Sequence, residues 1–178
     1  GDVYKRQALL VPVLALLVLY FLRFLGPAAS IVGVILAVVP FVIVWFAVRL
    51  IDRWEPEPRR LLAFAVAWGA IASVAIALGV DALLSFLVGG PGDAFSSVVQ
   101  APIVEEIAKG IGLLLLYVGA RRWFDGPVDG IVYGALIGAG FAFTENIQYF
   151  AISLIEGGGE QLTAVSYTHL TLPTSDLV

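Results

Sequence analysis

The sequence predicts an all-α fold, a polytopic membrane helical bundle of about five transmembrane helices. The chain of 178 residues is 60% hydrophobic and only 13% charged, and its mean hydropathy is +0.98. Soluble domains carry roughly 25% charged residues. The apolar residues also form continuous blocks, whereas a membrane β-barrel would show short alternating stretches. Composition and pattern therefore both favour membrane-spanning helices.

Five apolar blocks are long enough to span a membrane, since a hydrocarbon core of about 30 Å requires about 20 helical residues. The blocks cover residues 8–26, 28–50, 61–89, 94–120 and 129–155. Pro12 and Pro40 lie inside the first two blocks and are expected to kink them. Arg23 lies near the end of the first block, where its side chain can extend to the interface. Asp81 lies deep in the third block, and either a functional role or a contact between helices would explain it.

The basic residues indicate the orientation of the helices in the membrane. They are Arg49, Arg53, Arg59 and Arg60 around the second connection, and Arg121 and Arg122 in the fourth. The other two loops, "GPAAS" and "GGPGD", contain no basic residue. Because basic loops stay in the cytoplasm, we expect the arginine-bearing loops and the N-terminus to be cytoplasmic. Trp45, Trp54 and Trp123 lie near the same loops, as residues of an interfacial belt do.

The two ends of the chain resemble translated adapter DNA. Residues 2–7, "DVYKRQ", can be encoded by GAT GTG TAT AAG AGA CAG, which resembles the mosaic end of a sequencing-library transposon. The reverse complement of that DNA encodes "VSYTH", which is found at residues 165–169. We therefore expect residues 1–7 and 165–178 to be non-native and residues 8–164 to be an incomplete transmembrane core. His169, the one histidine of the chain, falls in the excluded part.

Several functional classes can be set aside from composition. The chain has no cysteine, so disulfides and thiolate metal sites are excluded. The net charge of −4 comes from few, locally clustered charges. No basic patch suggests a nucleic-acid partner, and none is expected.

Charged residues in the fourth and fifth blocks need a specific explanation, because an unpaired charge at membrane depth costs at least about 2.5 to 3.5 kcal/mol. These residues are Glu105, Glu106, Lys109 and Glu145. Glu105 lies 16 residues before Arg121, and Glu145 lies 16 residues after Asp129. At a rise of 1.5 Å per residue, both carboxylates lie about 24 Å from the cytoplasmic side. The two helices are therefore expected to bring them to one level, in the outer half of the bilayer.

Helical spacing predicts how these residues are arranged. Lys109 follows Glu106 by three positions and Glu105 by four, so it can pair with one glutamate and leave the other freer. Gly134 and Gly138 predict a small-residue seam on the fifth helix that presses the fourth helix against Glu145.

The balance of charge favours a catalytic site over a structural ion-pair network. Three carboxylates meet one lysine. The surplus carboxylates must be protonated, bound to a cation or reached by water.

Three segments of the chain resemble the PrsW family of intramembrane proteases. They are "EPEP" at 55–58, "APIVEEIAKG" at 101–110 and "DGIVYGALIGAGFAFTENIQYF" at 129–150. The resemblance covers nearly all of residues 8–155. It implies that Glu105 and Glu106 form the family's glutamate pair and that Lys109 is the basic residue of that motif. It also implies that Glu145, Asn146 and Tyr149 form the second motif. The family's third motif, a histidine on a later helix, has no counterpart here.

The resemblance implies an intramembrane endopeptidase that is usually metal-dependent. We expect Glu105 to be the general base, and Glu106 and Glu145 to hold a divalent metal, expected to be zinc, or the water itself. Asn146 would donate a hydrogen bond to the oxyanion, and Lys109 would set the charge state of the pair. The expected substrate is a single-span membrane protein of the anti-sigma-factor class, cleaved near the outer face of a bacterial plasma membrane.

Two other classes fit buried carboxylates. An ion- or proton-coupled transporter uses such groups as cation sites, although no inverted repeat or interrupted helix pair is evident. A structural membrane protein could use the same carboxylates only for pairing. Loss of cleavage on substituting Glu105 or Glu145 would separate the protease from both.

Overall fold

All regular structure in the described part of the chain is helical, which confirms the predicted all-α bundle. The computed structural model describes residues 2–54, 56–88 and 100–157, and side chains within residues 10–155 of those ranges. The helices are α1 (Asp2–Phe24), α2 (Pro27–Ile51), α3 (Arg59–Ala67), a π-helical segment (Trp68–Ser73), α4 (Val74–Val88), α5 (Ala101–Ala120), a 3₁₀ turn (Arg121–Trp123) and α6 (Pro127–Gly157). Together, α3, the π-helical segment and α4 form one continuous rod. Residues 165–178, including His169, lie outside the described residues.

The described helices correspond to the predicted spans in approximate position, and three of them qualify as membrane spans by length and composition. Pro27–Ile51, Arg59–Leu87 and Pro127–Ile155 are long and apolar enough to cross a membrane, and Leu10–Phe24 is a shorter apolar helix. Helix α5 has 20 residues, the length of a span, but it carries the three charges of the predicted site. Its predicted start at residue 94 lies outside the described residues. Together these helices form an integral membrane protein.

Helix α6 lies at the centre of the bundle, where it contacts α2, α3, the π-helical segment, α4 and α5. One buried apolar cluster fills the end near the arginine residues and includes Leu62, Phe64, Tyr133 and Leu136. A second cluster includes Phe21, Val74, Phe141 and Ile147. Because α6 contributes to both clusters, its side chains are positioned from several sides at once.

One close helix contact on α6 lies at Gly140, and the predicted seam at Gly134 and Gly138 is wrong. A methyl group at Gly140 would overlap the carbonyl oxygen of Val66 and reach the backbone nitrogen of Ala70, whereas one at Gly134 or Gly138 would meet nothing within 4 Å. Position 140 is two residues beyond 138, which is about 200° around the helix. The tightly packed face of α6 is therefore turned toward α3 and the π-helical segment.

Two hydrogen bonds join the π-helical segment to its neighbours. The indole Nε1–H of Trp68 donates to the carbonyl oxygen of Ala108 on α5 at 3.0 Å, and the Trp68 ring lies directly over Gly112. The Thr144 hydroxyl on α6 donates to the carbonyl oxygen of Ala70 at 2.8 Å. Short π-helical stretches occur often at functional sites, and this one contacts both helices that carry the predicted site.

Candidate active site

A cavity of about 180 Å³ opens between α4, α5 and α6. Its polar lining consists of Asp81, Gln100, Glu105, Glu145, Gln148 and Tyr149. Glu105 and Glu145 come from the two helices of one hairpin, and they face the same space, as their equal distance from the hairpin predicts. The structure therefore brings these two carboxylates together.

Helical periodicity explains why these side chains share the cavity. The residues that α6 contributes are Phe141, Glu145, Gln148 and Tyr149. They are spaced by four, three and one positions, so they form a single stripe along the helix. The residues that α5 contributes are Ala101, Val104 and Glu105, together with Gln100 just before it. Each helix thus presents one narrow face to the cavity.

Lys109 contacts the two glutamates of the pair unequally. Its Nζ lies 2.7 Å from Oε1 of Glu106 and 3.9 Å from Oε2 of Glu105. The Glu106 side chain is 74% exposed, whereas that of Glu105 is 26% exposed. The ammonium group also lies over the ring of Phe141, at 4.0 Å from its centroid, where the ring electrons attract a cation. Glu106 thus holds the closer contact with the lysine, and Glu105 is left to face the cavity.

Glu145 is half-buried in the wall of the cavity. Within the described residues, Glu145 makes no salt bridge of its own. Its carboxylate is therefore available to water or to a ligand in the cavity.

Two of the predicted site residues lie off the cavity wall. Glu106 points to Lys109 and the exterior, and Asn146 is half-buried next to Glu145 without lining the cavity. The polar groups that do line it beside Glu145 are Gln148 and Tyr149. They follow Glu145 by three and four positions, so helical spacing alone distinguishes them from Asn146. Asp81, whose role the sequence left open, also lies on the wall.

The described residues do not form a complete metal site. Within residues 2–54, 56–88 and 100–157, no three His, Cys, Asp or Glu side chains converge closely enough to hold an ion. The predicted ligands Glu106 and Glu145 do not face one space, because Glu106 turns to Lys109. Catalytic zinc usually takes three protein ligands.

A second set of hydrogen-bonded polar residues holds the connection between α2 and α3 near the arginine residues. The fully buried Tyr133 of α6 donates a hydrogen bond to Oε2 of Glu57 at 2.5 Å, and the Glu57 amide donates to the Asp52 carboxylate at 3.1 Å. Burial raises the pKa of Glu57, and the charges of Asp129 and Asp52 raise it further, while the bond from Tyr133 opposes them. The described part of "EPEP" thus contacts α6 directly.

Comparison with known proteins places the sequence in a family. A model described as PrsW family intramembrane metalloprotease matches residues 57–171. The matched range runs past residue 164 into the segment predicted to be adapter-encoded. It includes every polar residue of the cavity wall.

Two curated proteins named Protease PrsW are similar to the chain. The protein from Clostridioides difficile (strain 630) is 34% identical over 117 residues, which are 65% of this chain and 49% of that protein. The protein from Bacillus subtilis (strain 168) is 34% identical over 98 residues, which are 55% of this chain and 44% of that protein. The chain thus spans about half the length of the curated relatives it matches.

No solved structure matches the chain. The match to the family model covers more than half of the 178 residues. It also contains both helices whose carboxylates share the cavity. The chain therefore belongs to the PrsW family.

Proposed function

We propose that the protein is an intramembrane peptidase that hydrolyses a single-span membrane protein. The observation that carries this proposal is the shared cavity, in which carboxylates from two neighbouring helices face one space of about 180 Å³. Peptide hydrolysis inside a membrane requires water to be held and deprotonated away from bulk solvent. A polar cavity of this size has room for several water molecules.

Glu105 is the proposed general base. Its carboxylate accepts a proton from a water molecule as the oxygen attacks the carbonyl carbon of the scissile bond. The same proton then passes to the amide nitrogen, and the carbon–nitrogen bond breaks. Glu105 suits this role better than Glu106 because it faces the cavity and has the longer contact with Lys109.

Glu145 holds the water from the opposite side of the cavity. Gln148 and Tyr149 lie one turn along the same stripe of α6, so they are placed to donate hydrogen bonds to the oxygen on which negative charge develops. This role was predicted for Asn146, which lies beside the cavity wall. Lys109 balances the charge of the glutamate pair through its contact with Glu106. A divalent metal, with zinc as the expected ion, stays a prediction.

The position of the cavity suggests the substrate. Counting along the helices places Glu105 and Glu145 about 24 Å from the arginine side, which we propose is the cytoplasmic side. A substrate that spans the membrane once would then be cleaved near the outer face of a bacterial plasma membrane. Membership of the PrsW family supports this substrate class, and the resemblance implies an anti-sigma factor within it.

Reconstituted proteolysis tests the proposal. The protein is placed in liposomes with a single-span reporter protein, and cleavage is followed by gel and mass spectrometry. Loss of a general base costs about 10² to 10⁴ in rate, so Glu105→Gln should cleave at least about a hundredfold more slowly. Glu145→Gln, which loses the carboxylate that holds the water, should also cleave more slowly. Asp125→Asn, which removes an exposed carboxylate far along the chain, should cleave normally.

Two outcomes would contradict the proposal. Normal cleavage by both glutamine variants would remove these carboxylates from the reaction. Ion flux that depends on Glu105 and Glu145, with no cleavage in any protein, would favour the transporter instead.

A further inference from the structure

A second cavity, of about 260 Å³, lies between the end of α2 and the start of α3. Trp45 and Arg49 of α2 line one side, and Arg59, Leu62 and Ala63 of α3 line the other. It has no lining residue in common with the glutamate cavity. The proposed peptidase reaction makes no use of it.

Two like charges face this cavity. Neither the Arg49 nor the Arg59 guanidinium forms a salt bridge or hydrogen bond with another residue of the described ranges. Arg53 differs, because its guanidinium lies over the ring of Trp54, at 5.8 Å from the centroid. Like charges that share a concave surface repel each other. An anion bound between Arg49 and Arg59 would replace this repulsion with two attractions.

The start of α3 adds to the positive potential. Arg59 is the first residue of α3, and the helix has no acidic residue in its first turn and no side-chain cap at Pro58. The amide groups at a helix N-terminus carry a partial positive charge that favours anions. The helix end and the two guanidinium groups therefore favour the same kind of ligand at one place.

The surroundings of the cavity indicate an amphipathic ligand. Trp45 is half-buried in the last turns of α2, where tryptophan typically marks the membrane interface. Phe46 and Leu50, on either side of Arg49 along α2, are 70% and 73% exposed. An acyl chain could lie along these side chains while its headgroup occupies the cavity. A free inorganic anion would use only the arginines.

We propose that this cavity binds the phosphodiester headgroup of an anionic phospholipid from the leaflet on the arginine side. The guanidinium groups of Arg49 and Arg59 donate paired hydrogen bonds to the phosphate oxygens, and Trp45 packs against the glycerol region. Basic pockets between membrane helices bind anionic headgroups in this manner. The bound lipid would connect α2 to the start of α3.

Native mass spectrometry of the full chain in detergent tests the proposal, with phosphatidylglycerol and phosphatidylcholine as probes. We expect one phosphatidylglycerol to remain bound to the unsubstituted chain and phosphatidylcholine to bind more weakly. Each arginine near a lipid surface contributes about fivefold in affinity, so Arg49→Gln and Arg59→Gln should each lose about that factor. Arg53→Gln removes the same charge from the connection between α2 and α3, outside the cavity, and should keep the original affinity.

Three results would overturn the proposal. Equal retention of both lipids would show that the anionic headgroup is not recognised. Equal losses in Arg53→Gln and Arg49→Gln would reduce the effect to general surface charge. Displacement of the lipid by an excess of inorganic phosphate would identify a free-anion site. If a glutamine variant fails to fold, two tests remain. The comparison of the two lipids needs no variant. Arg49→Lys keeps the charge but not the paired hydrogen bonds, and it should lose part of the affinity.

Discussion

The contact at Gly140 can be tested against a matched glycine on the same helix. In Gly140→Ala, the added methyl group would overlap the carbonyl oxygen of Val66 and lie 3.0 Å from the backbone nitrogen of Ala70. Both neighbours are backbone atoms in the middle of a helix, so they cannot rotate away as a side chain could. In Gly138→Ala, the methyl group would meet nothing within 4 Å.

The two variants share every effect except the collision. Each replaces glycine by alanine inside α6, which favours the helix by roughly 0.5 to 1 kcal/mol. Only Gly140→Ala adds overpacking, which typically costs about 1 to 3 kcal/mol. Its free energy of unfolding should therefore fall below that of Gly138→Ala by about 1 to 3 kcal/mol.

Equilibrium unfolding in mixed micelles of a mild detergent and dodecyl sulfate measures this difference. The free energy of unfolding is obtained for the unsubstituted chain and for both variants under identical conditions. Gly138→Ala should be as stable as the unsubstituted chain or more so. Equal stability of the two variants, or a loss confined to Gly138→Ala, would refute the packing argument and would return the seam to the Gly134 and Gly138 face.

Three further predictions concern other contacts. Burial raises the pKa of Glu57 above its ordinary 4.5, so its contribution to stability is present below that value and is lost as the pH rises through the folded-state pKa. Glu57→Gln should therefore flatten the fall in melting temperature between pH 4.5 and neutrality, and an unchanged fall would contradict this. Asp81→Asn should raise KM for a reporter substrate more than it lowers kcat, because Asp81 lines the cavity on α4, whereas the proposed base and water ligand lie on α5 and α6; a complete loss of kcat would contradict this. Trp68→Phe removes the hydrogen bond to Ala108 and should cost about 0.5 to 1.5 kcal/mol in the unfolding titration, and an unchanged value would show that the bond contributes nothing.

Length and periodicity were enough to predict the helices and the meeting of two carboxylates. Because a helix rises by a fixed distance per residue, the depth of a residue in the membrane can be counted from the end of its helix. The sequence alone therefore predicts that Glu105 and Glu145 lie at the same depth. Counting also gives the rotation of one residue relative to another on the same helix. Gln148 and Tyr149 follow Glu145 by three and four positions and share its stripe along the cavity, so the spacing was enough to prefer them to Asn146, which the prediction selected.

The sequence also does not show which of two possible neighbours a side chain contacts, and the structure does. Lys109 can reach a glutamate three or four positions earlier, and only the side-chain conformations show that it lies closer to Glu106. The contact between Glu57 and Tyr133 joins residues 76 positions apart, and no local pattern indicates it. The seam at Gly140 depends on which face of α6 meets α3, and that orientation follows from packing of the whole bundle.

The π-helical segment at Trp68–Ser73 determines which way the side chains of α4 face relative to those of α3. A widened turn accommodates one additional residue, and one residue corresponds to about 100° of rotation. Deleting one residue from this segment would consequently swing Asp81 by roughly a quarter turn away from the cavity wall. The number of residues in the segment, more than their chemical identity, determines the direction in which Asp81 points from the helix axis.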